Sequence, residues 1–232
     1  PKYYDAYNNL GVAFQKLEKL DEAIEAFKQA VAIDPSVASV YNNMGIILDK
    51  QGKPEEALKA YEKALAIQPN FAEALNNLGN TLKNQNKFQE SIEAYEKALN
   101  IQPAFSEALN NMGLALANLN KFDEAIEAYQ KALTVNPDCF EAISNMGLAL
   151  YRQGKSHEAV EAYQKALAIG PDTAEIYNDM AVALQVQNKI DEATEAFKKA
   201  LTIKPDYPQC QQNFSNLLLH IGSIEEGLKR SE

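Results

Sequence analysis

Residues 106–137 read SEALNNMGLALANLNKFDEAIEAYQKALTVNP, and the rest of the chain is this stretch with substitutions. A shift of 34 residues returns the pattern: proline stands at 1, 35, 69, 103, 137, 171 and 205. Glycine keeps the same step at 11, 45, 79, 113 and 147, with Ala181 and Ser215 in the next two places. A fixed period of this length means an array of stacked units rather than one globular core. Within the unit, Leu109, Met112, Leu116 and Leu119 recur at three- and four-residue steps, which predicts one amphipathic helix. A polar break over 118–123 precedes a second stripe of Ala125, Ile126, Tyr129, Ala132 and Leu133. Asp123 and Glu124 open that helix and Lys131 sits late in it, as the helix dipole prefers, and Pro137 stops it. Glu127 and Lys131 stand four apart with the acid first, an order that Glu93–Lys97, Glu161–Lys165 and Glu195–Lys199 repeat.

Small residues mark where the two helices touch. Gly113, Ala125 and Ala132 let the backbones approach, while Leu109, Met112, Leu116 and Tyr129 fill the space around them. A large side chain at Gly113 is expected to cost about 1–3 kcal/mol through overpacking. One hairpin cannot bury both of its stripes, so neighbouring hairpins must stack.

At this point the chain closely resembles the tetratricopeptide repeat family. The positions that carry the resemblance are Tyr7, Leu10, Gly11, Phe14, Ala23, Phe27, Ala30 and Pro35 in the first complete unit. In the fifth they are Ile143, Met146, Gly147, Leu150, Ala159, Tyr163, Ala166 and Pro171. The departures are mild: no tryptophan occurs, and Ser91 and Gly227 each replace an alanine. The resemblance implies an all-α, right-handed superhelical solenoid of antiparallel helix–turn–helix hairpins, with the first helices lining a concave groove.

The organisation that follows is a single array over 1–232. Its complete repeats are 4–37, 38–71, 72–105, 106–139, 140–173 and 174–207, and 208–232 is a divergent, partial repeat. Residues 1–3 read as the tail of a preceding repeat, and Glu232 falls inside a second helix, so both ends are expected to continue in a longer protein. Gly222 is expected at an interhelical turn, by analogy with Gly52 and Gly154. A net charge of −10 argues against non-specific attraction to nucleic acid or anionic lipid. No apolar run approaches the roughly 20 residues of a membrane span. Cys139 and Cys210, two repeats apart, are expected to be unpaired thiols, which suits a reducing, cytoplasmic setting.

Packing explains most residues, so the informative ones are the polar residues it does not require. Each first helix carries an adjacent pair: Asn8–Asn9, Asn42–Asn43, Asn76–Asn77, Asn110–Asn111, Ser144–Asn145, Asn178–Asp179 and Gln212–Asn213. Asparagine is only a moderate helix former, so propensity does not account for these pairs. The second members, Asn9, Asn43, Asn77, Asn111, Asn145, Asp179 and Asn213, form a ladder whose amides can both donate to and accept from peptide backbone. The array of O-linked N-acetylglucosamine transferase is similar here. The competing reading is structural, with each Asn bonding a neighbouring helix, and a third combines both roles. Asn8, Asn42, Asn76, Asn110 and Asn178 complete the candidate peptide-binding set.

Asp5, Glu73, Glu107, Glu141 and Glu175 stand at one lip of the expected groove. Val12, Ile46, Asn80, Leu114, Leu148 and Val182 follow one turn beyond the ladder, and Lys16, Lys50, Lys83, Arg152 and His220 stand at the other lip. Such a surface suits a mixed, partly basic peptide or a helix. The basic clamp with which related repeats hold chaperone tails is missing, since Asn8, Asn42 and Asn76, or Glu73, Glu107 and Asn77, occupy its places. His157 and His220 lack metal-ligand spacing, and no glycine-rich phosphate loop occurs. Paired acids such as Glu55–Glu56 open helices rather than face each other across a site. The expected function is therefore non-catalytic protein–protein interaction without a cofactor. The alternatives are a substrate-recruiting region of a larger glycosyltransferase-like enzyme and an assembly element that self-associates through uncapped ends at Tyr4 and Leu218.

Overall fold

A computed structural model describes residues 3–229, so the expected tail at Pro1 and the chain end at Glu232 lie outside the described residues. The described residues are helices joined by short turns, without a strand. In chain order these are α1 (Tyr3–Lys16), α2 (Leu20–Ile33), α3 (Ala38–Lys50), α4 (Pro54–Ile67), α5 (Ala72–Asn84), α6 (Phe88–Ile101) and α7 (Ser106–Asn118). They continue with α8 (Phe122–Val135), α9 (Phe140–Arg152), α10 (Ser156–Ile169), α11 (Ala174–Val186), α12 (Ile190–Ile203) and α13 (Pro208–Lys229). The chain divides into two compact units, Pro1–Leu119 and Asn120–Glu232. In the first, α1–α2, α3–α4 and α5–α6 are hairpins and α7 packs on α6; in the second, α9–α10 and α11–α12 are hairpins, with α8 on α9 and α13 on α12.

Each hairpin reverses through one left-handed residue. Gly52 (φ 72°), Asn86 (φ 60°), Gly154 (φ 86°) and Asn188 (φ 59°) are glycine or asparagine, the residues that take this region most readily, and Glu18 (φ 56°) is the exception. The lysine that follows donates its N–H back into the helix, as in Lys53 to Leu48 at 2.9 Å and Lys87 to Leu82 at 2.9 Å. This closes a Schellman cap on otherwise open carbonyls. Gly222 does not play this part. Helix α13 runs through it without a turn, over 22 residues, correcting the expected hairpin. The left-handed residue and returning lysine that reverse the other hairpins have no counterpart there.

The small-against-large pattern has a concrete geometry. A Cβ on Gly11 would lie 2.5 Å from the Phe27 ring, one on Gly79 2.6 Å from Tyr95, and one on Gly147 2.8 Å from Tyr163. Gly45 meets Tyr61 in the same way. In these hairpins the second helix lays its aromatic ring on bare backbone of the first, and Phe27, Tyr61, Tyr95 and Tyr163 are almost fully buried. Burying such a ring is a large hydrophobic gain, and the glycine is what makes room for it.

Neighbouring hairpins are also stitched by a glutamine the sequence reading passed over. Gln51 donates to Asp21 at 2.8 Å and Gln85 to Glu55 at 2.8 Å, in each case from the end of a first helix to the start of the preceding second helix. Gln153 donates to Asp123 in the same manner, and Gln187, facing His157 rather than an acid, turns to the Ser156 carbonyl at 2.8 Å. The signal was present as a glutamine and an acid 30 residues apart. Of the helical ion pairs, Glu127–Lys131 closes at 2.8 Å. Glu93–Lys97, Glu161–Lys165 and Glu195–Lys199 do not, which fits the small gain from immobilising two exposed side chains.

Candidate functional site

The asparagine pairs are interlocked between hairpins. Asn43 Nδ2 donates to Asn8 Oδ1 at 3.3 Å, Asn77 Nδ2 to Asn42 Oδ1 at 3.0 Å, and Asn213 Nδ2 to Asn178 Oδ1 at 3.0 Å. The second member of one pair therefore holds the first member of the preceding pair. Asn42, Asn76 and Asn178 are buried, while Asn8, Asn43, Asn77, Asn110 and Asn145 are half-buried and Asn9 is exposed. Asn76 departs from the rule by donating to Glu107 at 3.0 Å, and its Oδ1 is buried without a hydrogen bond. Asn111 is buried as well and accepts from Lys83 at 3.2 Å.

Lys83 is consequently not a free charge at the basic lip. It is half-buried, and that burial holds its ammonium below the usual lysine range, against the pull of Glu107. Lys16, Lys50, Arg152 and His220 are exposed. Asp5, Glu73, Glu107, Glu141 and Glu175 occupy the first turns of their helices, where the dipole favours them. Glu175 is held by Lys204 at 3.0 Å. Asn80 accepts the Tyr95 hydroxyl at 2.7 Å, so it serves the core rather than an open surface.

A second polar node lies beneath the ladder in the first unit. The Asp49 carboxylate accepts from Tyr61 at 2.9 Å and from Thr81 at 2.5 Å. Burial raises its pKa, and the two hydroxyls work against that rise by bonding the charged form. The sequence offered no sign of this node, because Thr81 and Asp49 belong to neighbouring repeats.

In the second unit the first helices open a cleft of about 470 Å³. Its walls include Leu148 and Arg152 of α9, Asp179 and Val182 of α11, and Asn213 of α13. Amide, aliphatic and basic residues expected to line a groove are therefore brought together here. Asp179 accepts from Asn178 at 3.0 Å, and burial holds its carboxyl above the usual range, against the bond from Asn178 and the field of Arg152. Cys139 and Cys210 are both free. Among the described residues no group of three or more His, Cys, Asp or Glu is placed to hold a metal ion, and no helix is long and apolar enough to cross a membrane.

Comparisons with known proteins agree with this architecture. Residues 36–230 match the family model of the cilia and flagella-associated protein 70 C-terminal domain, and residues 4–37 match that of the tetratricopeptide repeat. No curated protein sequence matches the chain. A solved structure of pilF from Pseudomonas aeruginosa is 24% identical, with a TM-score of 0.81 over 92% of this chain and 97% of that one. PilW, described as a widely conserved type IV pilus biogenesis factor, is 19% identical, with a TM-score of 0.83 over 91% and 98%. At those identities the likeness shows the fold alone. YrrB, described as a tetratricopeptide repeat protein with an unusual peptide-binding site, is 25% identical, with a TM-score of 0.67 over 82% and 97%. The helical hairpins, their period and the match over most of the sequence agree: the chain belongs to the tetratricopeptide repeat family, in the group of the cilia and flagella-associated protein 70 C-terminal domain.

Proposed function

We propose that this repeat scaffold binds an extended peptide, or a helix, of a partner protein on the face formed by its first helices. The observation that carries the reading is the cleft among α9, α11 and α13. It joins aliphatic surface at Leu148 and Val182 to amide, carboxylate and guanidinium groups within one concavity. Apolar patches set among several polar groups suit peptide recognition, because apolar contact supplies affinity and the polar groups fix orientation. The interlocked asparagines fit a dual role. Half-buried Asn43, Asn77 and Asn213 each spend one amide proton on the neighbouring hairpin, and a second proton and a carbonyl lone pair remain to meet peptide backbone. YrrB, with its reported peptide-binding site, supports the same class of function.

The test is a peptide-array screen with the folded chain, with hits mapped by amide chemical shifts. The expected result is movement at Leu148, Val182 and Asn213, and loss of the hits in a Leu148→Glu variant. Leu148 is 38% exposed, so that variant is expected to fold. Shifts confined to the second helices would overturn the reading.

A second reading, association between copies of the chain, rests on one end of the first unit. Tyr3, Tyr7 and Leu10 are exposed at 66%, 37% and 43%, and recur along α1 at four- and three-residue steps. Concentration-dependent light scattering that disappears in Leu10→Glu is the outcome expected from it. Scattering independent of concentration would sink it.

A further inference from the structure

The asparagine ladder changes chemistry at Asp179. At Asn43, Asn77 and Asn213 the second residue of the pair donates an amide proton to the preceding pair. At 179 the second residue is aspartate, whose carboxylate has no proton to donate, and the corresponding acceptor place holds Ser144. Asp179 accepts a side-chain hydrogen bond from its own neighbour, Asn178, at 3.0 Å. An ionised carboxylate accepts about four hydrogen bonds, so most of its capacity is left for something else.

That carboxylate lines the cleft of about 470 Å³, with Leu148, Tyr151 and Val182 as its apolar neighbours and Arg152 at its exposed rim. Arg152 acts on Asp179 through its field, without closing an ion pair with it among the described residues. The nearby cation Lys204 is engaged by Glu175 at 3.0 Å. A half-buried carboxylate held away from both cations, beside an aliphatic wall, complements a charged group carried on an aliphatic stem.

We propose that the α9–α11–α13 cleft receives a lysine or arginine side chain of the bound peptide, with Asp179 as its acceptor and Leu148 and Val182 packing its stem. This names the ligand chemistry of the peptide-binding reading above and rests on it. An acidic side chain is disfavoured, because Asp179 would repel it inside a partly desolvated space. A neutral amide would satisfy a lone pair but leave the charge uncompensated. Asp179 is therefore a specificity-determining residue of the first-helix face, whereas Asn43, Asn77 and Asn213 spend an amide on the neighbouring hairpin. Arg152 competes with the incoming cation, and this fixes the sign of a second test.

The experiment uses fluorescein-labelled Ser/Ala peptides that differ only in a central lysine, arginine, norleucine or glutamate, titrated by anisotropy with amide shifts recorded in parallel. Lysine and arginine peptides are expected to bind about tenfold tighter than norleucine, in line with a charge-assisted hydrogen bond. Asp179→Asn, checked for folding by circular dichroism, removes that preference, and Arg152→Gln strengthens binding of the basic peptides. If peptides bind to the first helices but lysine and norleucine do not differ, or the preference survives Asp179→Asn, the proposal fails and the general peptide-binding reading stands. If no peptide moves any first-helix resonance, both fail together.

Discussion

Asn77 donates its side-chain amide to Asn42 at 3.0 Å, from the third hairpin back to the second. The bond joins the second member of one pair to the buried first member of another. It therefore ties hairpin stacking to the very face proposed to bind a partner. A ligand that drew on Asn77 would compete with, or share, a bond that holds the array in register. Binding to this face and the stability of the stack are consequently linked.

The Asp49 node gives the first test of what is buried there. Tyr61→Phe removes one of the two hydroxyls that the carboxylate relies on and is expected to cost about 1–2 kcal/mol. At the corresponding place in the fifth repeat the Tyr163 hydroxyl is buried without a hydrogen-bond partner among the described residues. Tyr163→Phe is therefore expected to be neutral or stabilising by up to about 1 kcal/mol, since it removes an unsatisfied group. Urea denaturation of both variants checks the contrast, and equal losses would refute it.

Close approach at glycine gives the second. In Gly79→Ala the new Cβ would stand 2.6 Å from the Tyr95 ring, too near for either to remain in place. The expected loss is about 1–3 kcal/mol. Gly52→Ala acts differently: nothing lies within contact distance, but φ is 72°, so the cost comes from backbone strain alone. A Tyr95→Leu background is expected to reduce the cost of Gly79→Ala and to leave that of Gly52→Ala unchanged, as read by thermal unfolding.

Asp179 gives a pH dependence. Burial raises its pKa in the fold, Asn178 and Arg152 lower it, and Glu175 adds to the rise. Tyr207 also lies within its field. A folded-state value above the unfolded one means that ionisation opposes folding. The penalty is full above the raised folded value, shrinks as pH falls through it, and is gone below the ordinary aspartate value. Asp179→Asn is thus expected to raise Tm at pH 7, with the gain declining as pH drops towards 3. A gain independent of pH would show that the charge is not its source.

The glutamine clamp gives the last. A double-mutant cycle on Gln85→Ala and Glu55→Ala is expected to show coupling of about 0.5 kcal/mol or more, since both ends of a 2.8 Å bond are removed together. The fourth repeat, with Leu119 and Gln89 in the equivalent places, lacks this donor–acid pairing. Strict additivity in denaturant titrations would remove the clamp from the account of stacking.

The helical unit was legible in the sequence because its determinants are local. The period, the two apolar stripes, the acids at helix starts and the prolines after helix ends all act within one repeat. The pairing of Gly79 with Tyr95 spans only one hairpin, which the small-and-large alternation already implied. Tertiary structure decided whatever depends on how one hairpin sits on the next. It divided the asparagine pairs into buried and half-buried members, drew Lys83 onto Asn111, and joined Asp49 to Thr81 from the neighbouring hairpin. It also left Asp179 facing a cleft and carried α13 straight through Gly222. The physical reason is one of range. Helix formation and capping read side chains three to five residues apart, whereas hydrogen bonds between hairpins require donor and acceptor within about 3 Å after some thirty residues of chain. Only the packed backbone sets that distance.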